Sequence, residues 1–235
     1  MTKTFEERYE ECGAAFGRVR MGKAQTLAER LRDDFPREPQ AWFMLNLVVC
    51  LRNTHGGPFS GDQQLPLQAK RWLGDQLPPV VLGDMWRDQA ICLITFAGRD
   101  KSLRRHREAH LKRAGGMIAD LATGAHAEDP NRLTCLHGIR GRLAFARGGY
   151  NEARAFHREA DSQWKRLGAD ADRKMRGLNL VHGLRATVAV HGRKSDIALE
   201  EFDVIRREYP DELPKAGILM RPMGLFAFRQ LMLHR

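Results

Sequence analysis

The side chains best able to do chemistry in this chain are its nine histidines and four cysteines, and their spacing decides what they can do. His106 and His110 stand at i and i+4, the separation that lets two imidazoles on one helix face reach a single zinc ion. A zinc hydrolase of that kind also needs a glutamate beside one of the two histidines. Glu108 lies midway instead, about 200° around the helix from His106, so its carboxylate points away from the metal position. With no obvious third ligand, the pair reads as surface or structural histidines. The run Gly56-Gly57-Pro58-Phe59-Ser60-Gly61 lacks the Lys-Ser/Thr ending of a phosphate loop, and Ser60 is off the G-x-S-x-G spacing of a nucleophile elbow. His137, His182 and His191 fall in apolar helical stretches, where a hydrogen-bonded packing histidine is the expectation; His191, beside Gly192 at a helix end, could lean over an adjoining face. Cys12, Cys50, Cys92 and Cys135 lie about forty residues apart with no CxxC pair, so they read as reduced, buried, small apolar residues. The sequence therefore predicts no catalytic residue, no metal site and no cofactor.

The elements that carry these residues announce themselves by repetition. Ala24, Ala28, Leu31, Phe35 and Pro36 occupy offsets 0, 4, 7, 11 and 12, and Ala198, Phe202, Ile205, Tyr209 and Pro210 occupy the same offsets. Ala153, His157, Ala160 and Trp164 repeat the first four. Such offsets trace one face of an α-helix, and a proline just beyond the last of them stops it. A small residue at offset 0 admits a neighbouring helix closely, while the aromatic at offset 11 plugs the far end of the contact. Upstream of Ala153 an apolar helical stretch from Gly141 is broken at Gly148-Gly149 and restarts at Tyr150, which predicts a helix, a tight turn and an antiparallel helix. Extended along the chain, this reading gives paired helices at 4–17 and 22–35, 39–52 and 66–76, 81–97 and 100–114, 131–147 and 150–167, and 172–191 and 195–208. A closing helix follows at 213–233. Few stretches alternate with period two and none is bounded as a strand, so the predicted class is all-α.

At Gly141, Gly148, Tyr150, Ala153 and Ala160 the spacing resembles that of the tetratricopeptide (TPR) repeat family. Ala24, Ala28 and Pro36, with Trp42 and Leu45 after them, resemble it again, as do Ala198, Phe202 and Pro210. The resemblance implies one domain over residues 1–235: a right-handed α-solenoid of about five TPR-like hairpins plus a C-terminal closing helix, with first helices lining a concave groove. It further implies a non-enzymatic module, an adaptor, scaffold or regulator that binds a protein or peptide in that groove. Carried over position by position, the groove residues are Tyr9, Gly13 and Phe16, then Phe43, Leu47 and Cys50, then Arg142 and Phe145, then Thr187 and His191. Their mix of aromatic and apolar types, with little lysine or asparagine, suits an amphipathic helix or apolar segment better than a peptide's terminal carboxylate.

Charge leaves a second function class open. The chain carries 39 Lys plus Arg against 29 Asp plus Glu, and the segment 51–194 alone holds 25 basic against 14 acidic residues. The densest stretch includes Arg99, Lys101, Arg104, Arg105 and Lys112, a candidate anion-binding face for phosphates or acidic peptides. The alternative is a solvated helix face, and the stretch has no interleaved aromatics for base stacking. A nucleic-acid-associated helical repeat is thus the second reading. The longest apolar stretches, such as 91–97, are far shorter than the roughly 18 residues of a membrane span. The charged N-terminus lacks the apolar core of a secretory signal, so the expected location is the cytoplasm. Two further features stand out: a Gly/Pro-rich insertion at 53–64, and the apolar 213–235 segment, where 11 of the 16 residues from Ile218 to Leu233 are apolar. That segment either folds back into the chain's own groove or offers a surface to a second copy or a partner.

Overall fold

The computed structural model describes residues 3–18, 20–54, 64–99, 104–192 and 195–212. Among them every regular element is helical: α1 (Phe5–Gly17), α2 (Met21–Asp34), α3 (Pro39–Thr54), α4 (Leu65–Leu73), α5 (Pro79–Arg99), α6 (Arg104–Leu121), α7 (Pro130–Arg147), α8 (Tyr150–Leu167), α9 (Arg173–His191) and α10 (Asp196–Glu208). The expected helix pairs are found with boundaries moved by a few residues. None of these helices is long and apolar enough to cross a membrane. Most of the 53–64 insertion and all of the 213–233 closing helix lie outside the described residues.

Local chemistry sets the ends. Thr4 accepts from the Glu7 amide while the Glu7 carboxylate accepts from the Thr4 amide, a reciprocal capping box that starts α1. Asp129, Asp172 and Ser195 cap α7, α9 and α10 by accepting backbone amides through their side-chain oxygens. Between α7 and α8 the chain reverses at Gly148, whose φ of +90° is left-handed, while the Gly149 amide donates to the Ala144 carbonyl at 3.0 Å. Only glycine takes that φ without strain. One boundary departs from the sequence expectation. α6 runs through Gly115 and Gly116 to Leu121 instead of stopping at 114, because Ile118 and Leu121 beyond the glycines are buried, as are Leu111 and Ala114 before them, on a helix that packs on α5. The packed face outweighs roughly 1 kcal/mol of glycine helix penalty per residue.

Contacts gather the chain into two units, Met1–His126 and Ala127–Arg235. In the first, α1 packs on α2, α2 on α3, α3 on α5, and α5 on α6, with α4 beside α3 and α5. In the second, α7 packs on α8 and on α9, α8 on α9, and α9 on α10. The repeated offsets are the packed faces: Ala24, Ala28 and Leu31 are fully buried, as are Ala153 and Ala160, and Trp164, Phe202, Ile205 and Tyr209 are nearly so. The four cysteines are buried thiols outside any disulfide, and burial pushes the Cys12 thiol up to about 11. Trp42 donates from Nε1 to the Pro36 carbonyl at 2.9 Å, tying the start of α3 to the proline that ends the first pattern. Ala153 packs with Ala144 and Ala186, so one side chain from each of α7, α8 and α9 meets where only methyl groups fit. Ala153→Leu is expected to lower stability by about 1 to 3 kcal/mol through overpacking; an unchanged melting curve would remove Ala153 from that contact.

The first unit carries a buried polar line on α5. Asn46 is fully buried, donates to the Met85 carbonyl at 3.2 Å and accepts from Gln89 at 2.8 Å. Asp88 accepts from Arg87 through Oδ1, while its Oδ2 is buried without a hydrogen bond. Burial pushes this carboxyl up, against the opposing pull of Arg87. A carboxyl raised on folding favours the fold when protonated and penalises it as pH climbs through the folded value. Asp88→Asn, which keeps an acceptor for Arg87, should therefore raise stability near neutral pH by about 1 kcal/mol. The gain should shrink as the pH falls, measured as the gap between urea midpoints at pH 7.5 and pH 5.

Candidate functional site

The second unit is organised around one side chain that wedges three helices together. His157 of α8 is buried, and its Nδ1 lies 2.7 Å from Oδ1 of Asn179 on α9. Asn179 returns a bond from Nδ2 to the His157 carbonyl at 3.0 Å. Two α7 glycines make room. A Cβ on Gly141 would stand 2.7 Å from His157 Nε2, and a Cβ on Gly138 would stand 2.8 Å from Asn179 Oδ1. The ring of His182 on α9 stacks on that of His157 with centroids 6.0 Å apart. Burial and the nearby Arg142 hold both imidazoles neutral: His157 is pushed down to about 4 by burial despite its bond to Asn179, and His182 falls well below the ordinary histidine range.

Outward from this wedge, α7 and α9 present a half-buried set of arginines and aromatic rings. Arg142 and Phe145 are neighbours at i, i+3 on α7, as His182 and Arg185 are on α9. The Arg185 guanidinium sits 4.1 Å from the centre of the Phe145 ring, a short cation–π contact. Its Nε is buried without a hydrogen bond. Tyr150, 42 % exposed, has its ring 5.0 Å from that of Phe145. Arg142 is pushed down to about 10, first by burial and then by the positive Arg185, with Cys135 opposing. Arginine, tyrosine and phenylalanine are residue types enriched at protein interfaces in general.

The structure thus brings together Arg142 and Phe145 and adds Arg185 and Tyr150. Thr187 does not join them. It is buried on another side of α9, about 200° from Arg185, where it accepts a hydrogen bond from Arg154 Nε at 3.2 Å and lines a cavity with Leu184. His191 is exposed at the last position of α9. In the first unit Tyr9, Phe16 and Phe43 are half-buried and packed on the core, Tyr9 also against Phe5 at 5.7 Å. Leu47 is half-buried and Cys50 buried. Gly13 has open space around its Cα. Of the basic stretch, Lys112 is exposed on α6, whereas Lys101 and the side chains of Arg99, Arg104 and Arg105 lie outside the described residues.

Cavities open elsewhere among the described residues. One of about 370 Å³ opens between α8 and α10 over α9, edged by Arg154, Arg158 and Glu201 and floored by Leu184 and Thr187. Its charges largely neutralise each other, with Arg158 3.7 Å from Glu201 and Asp161 bonded to both Lys165 and Arg176 at 2.8 Å. Another, about 790 Å³ and mainly apolar, lies along α5 and α6 beside Trp86, Met117 and His126. The His106 and His110 rings are 6.3 Å apart, and His110 packs edge-on against Phe96. Among the described residues no group of three or more His, Cys, Asp or Glu is placed to hold a metal ion. Compared with protein-family models, with curated proteins and with solved structures, the chain finds no match.

Proposed function

We propose that this protein is a TPR-like interaction module that binds a protein segment on the α7/α9 face. The observation that carries the reading is the Phe145–Arg185–Tyr150 cluster with Arg142 beside it, held half-buried on two adjacent first helices of the pairs, α7 and α9, and joined by Tyr150 from the start of α8. The direct packing of α3 on α5 and of α7 on α9 supports the solenoid arrangement within each unit, since stacked repeats bring successive first helices side by side. The arginines and rings favour a partner that brings apolar and aromatic surface with acidic residues at its edge. A cytoplasmic adaptor or regulator fits these features. The test is affinity capture from cell extract with the intact chain and with Arg142→Ala/Phe145→Ala, read by quantitative mass spectrometry. A partner of this face is recovered by the first and at least tenfold depleted with the second, a loss of about 1.4 kcal/mol or more. Equal recovery of every captured protein would overturn the reading.

A further inference from the structure

We propose that the groove along α5 and α6 binds a small amphipathic anion, an acyl chain ending in a carboxylate, with the chain against Trp86 and Met117 and the head at Lys112 and Arg113. The residues that line it, from Pro79 to His126, all belong to the first unit. The site is therefore independent of the α7/α9 face and of the function proposed for it.

Helical spacing builds the groove. Pro79, Leu82, Gly83 and Trp86 share one face of α5, and the lining of α6 runs from Ala109 to Leu121 at steps of three and four. The two helices pack on each other, and the space along them holds about 790 Å³, within the roughly 300–1,000 Å³ of small-molecule sites. Leu82, Trp86, Met117 and Leu121 give it apolar walls. Beyond the C-terminal end of α6 it is closed by His126, which is buried and so near α5 that a Cβ on Gly83 would stand 2.9 Å from its Nδ1. Gly116 keeps the middle open. Among the described residues no atom outside its own stretch of α6 lies within 4 Å of the place its Cβ would take. Packing therefore does not call for glycine there, the weakest helix former after proline, and a side chain at this position would enter the groove.

Charge decides what the groove takes. Toward the N-terminal end of α6, Lys112 and Arg113 line it side by side and are exposed. The acid among the lining residues is Asp120, eight positions beyond Lys112 and about 12 Å along the helix. That is farther than the roughly 8 Å over which salt screens exposed charges. Asp84 on α5 pairs with Arg87 at 2.7 Å. Cations at one end and apolar walls beyond them match a ligand with an anionic head and an apolar chain. A carboxylate gains charge-assisted hydrogen bonds from either basic side chain, and the chain takes the half-buried Trp86 and Met117 out of water. From Ala109 to Leu121 the lining extends about 18 Å along α6, room for an extended dodecanoate.

The test is calorimetry of the full chain with dodecanoate below its micelle concentration. Saturable binding is expected, weakened by about tenfold or more with Gly116→Phe, which fills the groove. Lys112→Ala/Arg113→Ala should weaken it by about threefold or more and leave the binding of dodecanol unchanged. A second readout holds even where Gly116→Phe fails to fold. In a Trp72→Phe background, which removes the exposed indole, ω-bromoundecanoate should quench tryptophan emission as it binds, and a further Trp86→Phe should abolish the quenching. No binding by the intact chain, undiminished binding by a folded Gly116→Phe, quenching that survives Trp86→Phe, or equal affinity for dodecylammonium and dodecanoate overturns the proposal. So does cosedimentation with phosphatidylglycerol vesicles without binding of monomeric dodecanoate, which would make the groove a membrane contact. Loss of a dimer with Gly116→Phe would make it an interface between copies and overturn it equally.

Discussion

Gly141→Ala is expected to destabilise the second unit by about 3 kcal/mol, at the upper end of overpacking effects, although alanine is the better helix former by about 1 kcal/mol. The added methyl would come within 2.7 to 2.9 Å of three ring atoms of His157. The ring cannot swing away, because Asn179 holds its Nδ1 and Gly183 of α9 stands behind its Cβ. Gly116→Ala supplies the contrast. Gly116 is exposed inside α6 with nothing near the position its Cβ would take, so the same substitution there should stabilise by up to about 1 kcal/mol. If packing against His157 is the cause, His157→Ala should recover part of the Gly141→Ala loss in a double-mutant cycle read from chemical denaturation. Additive effects would separate the two residues.

Acid should weaken the second unit well before carboxylates titrate. His157 falls from an ordinary value near 6.5 to about 4 on folding, so the unfolded chain binds its proton first. Stability tied to the neutral ring is complete above about pH 6.5 and is lost as the pH drops toward 4. At 1.36 kcal/mol per unit the loss reaches about 3 kcal/mol, and His182 acts in the same direction. The groups facing His157 reinforce the sign: Arg142 from α7 opposes a second positive charge, His182 from α9 does likewise, and Asn179 supplies one bond that partly offsets them. Guanidinium midpoints at pH 7.5, 6 and 5 should decline steeply for the intact chain and less steeply for His157→Gln. Parallel declines would assign the acid sensitivity to other groups.

The helices were legible because one-sided packing leaves a period. Offsets 0, 4, 7 and 11 marked the buried faces of α2, α8 and α10, and the aromatic at offset 11 is the buried Trp164 in one copy and Tyr209 in another. The polar wedge was not legible. His157 entered the pattern only as a large residue at offset 4, and nothing in a linear sequence pairs it with Gly141 on the preceding helix or Asn179 on the following one. The small residues at Gly138 and Gly141 were the available sign that something bulky approaches α7. Thr187 and Arg185 lie two apart on α9 and face different neighbours, Thr187 toward Arg154 of α8 and Arg185 toward Phe145 of α7. Arg185 and Tyr150 complete the surface cluster through contacts between helices, which sequence periodicity does not encode.

The affinity of a captured partner for the purified chain, measured by calorimetry at two salt concentrations, tests the central claim most directly. Arg142→Ala/Phe145→Ala should weaken binding at least tenfold, and Lys112→Ala/Arg113→Ala on α6 should change it little beyond a smaller salt dependence. Undiminished binding by the α7 pair, together with a loss in the α6 pair and a steep decline with salt, would contradict the account and assign recognition to the basic helix.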